Sequence, residues 1–382
     1  MSNAVTNDSL IDSDQTRSDQ ITISHAPLIY EGSDTSRRHV AALQRVSDGA
    51  GVAISSHTCA ATTLASSYQG RPASNTTMSA LFAKCLRWIG MPLFLASMTI
   101  GSPLTAVALP WAMLPTIGLL YRRRTLPPDR QADLDTLTYI YFGSATFGLV
   151  AVLATQTLLM KIVLKPLFGD QAEAYVAEFM RSSIKGLSAE QIAFRATLAS
   201  SWPNWVFLLV FTFVGAGLCE ELLKYAPIAH LRHQNSNTAP REVLVQYAVA
   251  AALGFSTVEN VAYSRMAVQA GERGWKLALT IAERAIAGGP GHCLTAALLA
   301  INVAKLGEYR TSPSSLWQIL GGSVIYHGIF DFVLFAISAL HGNVGFIHPE
   351  NPWTVTGSLL LAGSIQLTLY AHVRRAWGSV GA

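Results

Sequence analysis

Charge is what this chain has least of. Asp, Glu, Lys and Arg make up 13% of its 382 residues, about half the share in an ordinary soluble domain, too few to coat a water-facing surface. Basic residues exceed acidic ones by only four, and they gather beside apolar stretches rather than in a patch, so no nucleic-acid partner is expected. Cysteine is sparse as well: Cys59, Cys85, Cys219 and Cys293 form no CxxC pair, which argues against a zinc ribbon and a disulfide framework. The first 25 residues lack the basic start and apolar core of a signal peptide, so insertion into a membrane is expected to rely on later segments. There is no HExxH helix and no GxSxG elbow.

What is abundant is apolar sequence, at 51% of the chain. About 20 apolar residues span a bilayer, and seven stretches qualify: Met91 to Leu120, Leu137 to Leu164, Trp202 to Ile228, Val243 to Gln269, Leu277 to Leu306, Leu316 to Leu340, and Trp353 to His372. The expected fold is therefore all-α, a polytopic helix bundle of about seven transmembrane helices (seven to eight) integral to the lipid bilayer. Residues 1–85 are rich in Ser, Thr, Asp, Asn and Gln and lack a sustained helical period, so they are expected to form a disordered polar tail. The membrane domain is expected over residues 86–376.

Short cytosolic loops are enriched in Lys and Arg. Arg122, Arg123, Arg124 and Arg130 therefore place the first connection inside, and Arg374 and Arg375 place the C-terminus there too. Residues 341–352 hold no Lys or Arg and belong outside. Seven spans satisfy all three assignments and put the long connection from Lys165 to Ser201, and the tail, outside. Pro103, Pro110 and Pro115 open a second reading, in which the first stretch is a broken hairpin and the tail lies inside.

Four polar clusters interrupt the spans. Glu220 and Glu221 lie four and three residues ahead of Lys224, so the lysine can pair with one carboxylate and leave the other free. Taken alone, this is an ordinary interfacial salt bridge with a snorkelling lysine. Glu259 and Asn260, however, sit deep in their span, where a carboxylate has to be protonated, paired or wet. The next span carries Glu283 beside Arg284, expected to form a buried ion pair, and then Gly288-Gly289-Pro290-Gly291-His292. The glycines and proline are expected to break or kink this helix next to His292. His327 and Asp331 are four residues apart and share a face, a spacing that suits a structural pair, a fixed imidazole tautomer, or two groups on one substrate or metal. Cys219 and Cys293 are expected to fill space in the bundle.

Depth distinguishes one shared site from four separate pairs. At roughly 1.5 Å of rise per residue, His292 and His327 both come about 16 Å from the inner end, Glu221 about 10 Å and Glu259 about 20 Å. Independent pairs have no reason to share a level, so the clusters are expected to converge on one cavity.

Taken in order, these residues resemble the PrsW-type intramembrane proteases, distant relatives of the CAAX prenyl endopeptidases. The family pattern is EExxK, FxxxEN, a histidine after a Pro/Gly kink, and HxxxD. It is present as Glu220-Glu221 with Lys224, Phe255 with Glu259-Asn260, Pro290-Gly291-His292, and His327 with Asp331. The resemblance covers a motif core of residues 202–340, while the tail and the Lys165 to Ser201 connection look like additions.

The resemblance implies hydrolysis of peptide bonds in a membrane-protein or peptide substrate. On that reading Glu220, Glu221, Glu259, His292, His327 and Asp331 are the candidate catalytic residues, with Lys224, Asn260 and Arg284 supporting them. Glu221 or Glu220 would serve as general base, Glu259 and His292 would orient water, and His327 and Asp331 would stabilise the oxyanion or hold a metal. His292, His327 and Glu259 also make a catalytic set for zinc or another divalent metal, so metal and glutamate-base mechanisms both stand at this stage. Two other classes compete: a proton- or ion-coupled transporter, which mid-membrane carboxylates and histidines also suit although the spans show no inverted repeat, and a catalytically silent relative that binds membrane proteins.

Overall fold

A computed structural model of the chain describes residues 76–100, 103–234, 239–308, 316–347 and 351–380. Most of the expected tail lies outside these residues, and its last ten, Thr76–Cys85, are helical. Every regular element among the described residues is a helix: α1 (76–99), α2 (Pro103–Thr125), α3 (134–168), α4 (Ala172–Phe179), α5 (Ala189–Ser200), α6 (202–234), α7 (Arg241–Gln269), α8 (275–308), α9 (Leu316–Leu340) and α10 (Pro352–Gly378). Among the described residues seven segments are long and apolar enough to cross a membrane, and the chain is an integral, multi-pass membrane protein.

Those seven differ from the expected set at two places. The single span expected from Met91 to Leu120 is two helices, Ser79–Thr99 and Pro103–Thr125. Ile100 leaves helical geometry at ψ 127°, and Pro103, whose nitrogen carries no hydrogen to donate, opens the second helix, where that loss costs nothing. Arg241–Gln269, by contrast, is not apolar enough to count by composition, yet 17 of its 29 residues are buried. Helices α2, α3, α6 and α8 pack around it. A helix screened from lipid by protein on several sides is free to carry Glu259, Asn260 and Gln246.

Small residues let these helices approach closely. Ala248 and Ala252 of α7 pack with Ala296 and Ala300 of α8 in an apolar core that includes Ile228, Leu299, Leu320 and Val324. Gly254 of α7 lies against α3, where an added Cβ would collide with the Tyr141 carbonyl oxygen. The rigid backbone there has nowhere to move. Gly254→Ala is therefore expected to cost about 3 kcal/mol, at the upper end for overpacking, read as a lower thermal midpoint of the detergent-solubilised protein. A midpoint unchanged from wild type would mean that the α3–α7 contact is looser than described.

At the opposite end the Lys165 to Ser201 connection folds into α4 and α5 and forms a second core. Tyr175, Phe179, Phe207, Phe211, Phe335 and Phe346 pack there, ring against ring. Arg195, 1% exposed, pins this cap by donating to the Glu178 carbonyl at 2.7 Å and carboxylate at 2.8 Å, and to the Val344 carbonyl. Burial lowers the Arg195 pKa from its usual range, and the Glu178 carboxylate opposes that shift. Along α6 and α9 the polar clusters fall between the two cores: Glu220 and Glu221 between Phe211 and Ile228, His327 and Asp331 between Val324 and Phe335.

Candidate metal centre

Two of the helices that carry the clusters depart from α geometry just before their polar residues. In α6 the turn is π-helical over Phe211–Leu218, and in α8 over Arg284–Gly288. A π turn takes in an extra residue per hydrogen-bonded loop and re-aims the side chains C-terminal to it. After the first, both Glu220 and Glu221 are buried, at 4% and 0% exposure. The second absorbs the strain expected from Gly288 to Pro290, so α8 continues unbroken through Gly289–Glu308 and the expected break does not form. Pro290 is the second residue after that turn.

The four clusters meet. His292 Nε2 is 2.9 Å from Glu259 Oε2, and His327 Nδ1 is 2.8 Å from Glu221 Oε1. Each carboxylate is held by a cation. Arg284 donates to Glu259 Oε2 at 2.7 Å and to Asn260 Oδ1 at 2.9 Å, while Lys224 donates to Glu221 Oε1 at 2.5 Å and to Thr295 Oγ1 at 3.1 Å. The pair expected between Glu283 and Arg284 thus forms across helices instead, because adjacent residues on a helix point in different directions.

Ionised carboxylates can only accept, so each histidine must donate the nitrogen that faces its carboxylate. With both rings neutral and an N–H turned to each carboxylate, a lone pair is left on His292 Nδ1 and another on His327 Nε2. Both face Glu220 Oε2, at 3.8 and 3.5 Å, and Glu220 Oε2 is itself buried without a hydrogen-bond partner. These three atoms all lie within 4.8 Å of one another, a grouping that can hold a metal ion. Nitrogen and oxygen ligands lie about 2.0–2.2 Å from a shared zinc, which sets their mutual spacing near 3–4 Å, so this donor set fits such a metal. A carboxylate behind each ligating histidine is the usual supporting arrangement.

Glu259, grouped from sequence with the two histidines, stands behind His292, and Glu220 is the carboxylate that faces both rings. Glu221 is closed off behind His327 and Lys224. Asp331 Oδ2 lies 3.5 Å from His327 Nε2 with its side chain 25% exposed to a cavity of about 420 Å³. Glu220, Glu259, Arg284, His292 and His327 also line this cavity.

Three contributors escaped the sequence reading. Thr295 fixes Lys224, Gln366 of α10 donates to the Ala287 carbonyl in the π turn, and the Tyr263 ring lies under the Arg284 guanidinium at 4.2 Å. Tyr263 follows Glu259 by four residues, and Thr295 follows His292 by three, so same-face spacing could have signalled both. Nothing local marks Gln366.

No curated protein and no solved structure matches the chain. The model of the PrsW family of intramembrane metalloproteases matches residues 138–349, more than half of the sequence, and takes in all four clusters. The chain belongs to the PrsW family of intramembrane metalloproteases.

Proposed function

We propose that the protein is a metal-dependent endopeptidase that cuts membrane-associated proteins, with Glu220, His292 and His327 holding a divalent ion, zinc by the chemistry of its donors. The grouping of Glu220, His292 and His327, with one ligand atom from each within 4.8 Å of the others, carries this reading. When bound, the ion supplies Lewis acidity to the reacting oxygens. Glu259 and Glu221 keep the two imidazoles in their ligating tautomers. Lys224 and Arg284 hold those carboxylates ionised, so that neither drifts toward the neutral acid that would release its histidine.

Asp331 is the general base on this reading, because it opens onto the cavity and no lysine or arginine pairs with it among the described residues. It takes a proton from the attacking water as the water oxygen bonds to the peptide carbon, then returns that proton to the amide nitrogen as the C–N bond breaks. Glu221 suits that role less well, with 0% exposure and no surface on the cavity. The apolar walls, including Phe179, Phe211, Phe255 and Phe335, exclude bulk water and favour an unfolded stretch of membrane-embedded chain.

New protein N-termini compared in native membranes test the reading, using wild type and the His292→Ala, His327→Ala variant at matched levels. Membrane-proximal cleavages made only by wild type are the expected result. Identical profiles from the two, with both proteins folded, would sink the protease reading.

A further inference from the structure

The acceptors that dominate the cavity pose a problem for peptide hydrolysis. When water adds to a peptide carbonyl, the C=O π pair moves onto oxygen, and a hydrogen-bond donor beside the Lewis acid stabilises that oxyanion further. Most donors along the cavity are committed elsewhere. Thr157 donates to the Leu153 carbonyl, Thr280 to Glu272, Gln156 to the Gly215 carbonyl, Thr295 to the His292 carbonyl, and Arg284 to Glu259 and Asn260. Gln366 is engaged in the π turn.

Tyr263 differs from all of these. It lines the cavity from α7, one turn beyond Glu259, and among the described residues its hydroxyl has no hydrogen-bond partner. Its ring is fixed on both sides, by Arg284 at 4.2 Å and by Phe346 at 6.0 Å between ring centroids with an interplanar angle of 66°. The Tyr263 side chain shares the cavity wall with Glu220, His292, His327 and Asp331. Tyr326, the other phenol of the cavity wall, turns its ring against His372 at 5.7 Å.

We infer that Tyr263 is a further catalytic residue, whose O–H donates a hydrogen bond to the oxyanion formed at the scissile carbonyl. This rests on the protease reading above. No proton is transferred: the hydroxyl strengthens an existing dipole contact as charge develops and relaxes when the C–N bond breaks. Arg284, stacked on the ring, has a double part, holding Glu259 with its nitrogens and the phenol with its face.

The test uses the full-length protein in native membranes, with wild type, Tyr263→Phe and the His292→Ala, His327→Ala variant at matched levels. The probe is the set of cleavages that wild type makes and the histidine variant does not. Their rate of appearance is expected to fall about 100-fold in Tyr263→Phe, the lower range for losing one oxyanion donor. Because phenylalanine keeps the ring against Arg284 and Phe346, metal bound per protein and thermal midpoint are expected to stay at wild-type values. A Tyr263→Phe rate within a few fold of wild type would overturn the inference and leave the protease reading standing. A slow variant that had also lost metal or stability would overturn it too, by assigning Tyr263 a structural role. A wild type indistinguishable from the histidine variant would overturn both readings together.

Discussion

Glu220→Gln is expected to strip the protein of its metal and its cleavage activity while leaving the metal-free fold as stable as before. Glutamine has nearly the shape of glutamate but brings an uncharged amide to the point where the two histidine lone pairs converge, so a ligand and its charge are lost together. Glu259→Gln makes the informative contrast. It weakens only the group behind His292, a loss that typically lowers metal affinity about 10–100-fold, and Glu220→Gln is expected to exceed it. Metal content by mass spectrometry, measured with cleavage on the same preparations, separates the two. Stability provides an independent reading. Glu220 Oε2 has no hydrogen-bond partner, so neutralising that carboxylate removes a buried charge without orphaning a donor, and the thermal midpoint of the metal-free protein should not fall. A Glu220→Gln protein that kept full metal and full activity would move the centre elsewhere.

The second large effect is on folding. Lys224 and Glu221 are both at 0% side-chain exposure and 2.5 Å apart. Lys224→Met leaves Glu221 charged, dry and held only by His327, and removing one partner of a buried pair costs roughly 3–5 kcal/mol. The Lys224→Met, Glu221→Gln double variant removes both charges and is expected to recover much of that loss. The cycle is read by denaturation in detergent. If the double variant were as unstable as the sum of the singles, the pair would carry no coupling, and Lys224 would have to act through packing or Thr295 alone.

Much of the site was legible because burying ionisable groups in a bilayer is costly, so Glu220, Glu259, His292, His327 and Asp331 stood out against apolar sequence. Rise per residue then put them at similar levels, and they do meet. What sequence could not give was choice of partner between helices. Spacing along a helix reports shared faces and nothing about the neighbour across the gap, so Arg284 was matched with Glu283 when Glu259 was nearer. By the same limit, spacing along a helix does not show that Glu220, rather than Glu259, faces both rings. α7, an apolar stretch in the sequence, carries Gln246, Glu259 and Asn260 where protein surrounds it, and its burial depends on α2, α3, α6 and α8, which no window of α7 alone describes. The cap built on Arg195 and Phe179 was read only as an added connection, since its order comes from contacts with residues 341–347.

The π turns of α6 and α8 make the site depend on helix length as well as on residue identity. Each turn holds one residue more than an α-helix would need, and everything downstream is rotated by about 100° relative to an uninterrupted helix. Deleting a single apolar residue from Phe211–Leu218 would let α6 regularise and swing Glu220 and Glu221 toward another face, though no polar residue had been altered. Alignments that tolerate a one-residue gap at that place could thus pair intact motifs with dismantled centres. Spacing into the helix core is as much a signature of an active relative as the motifs themselves.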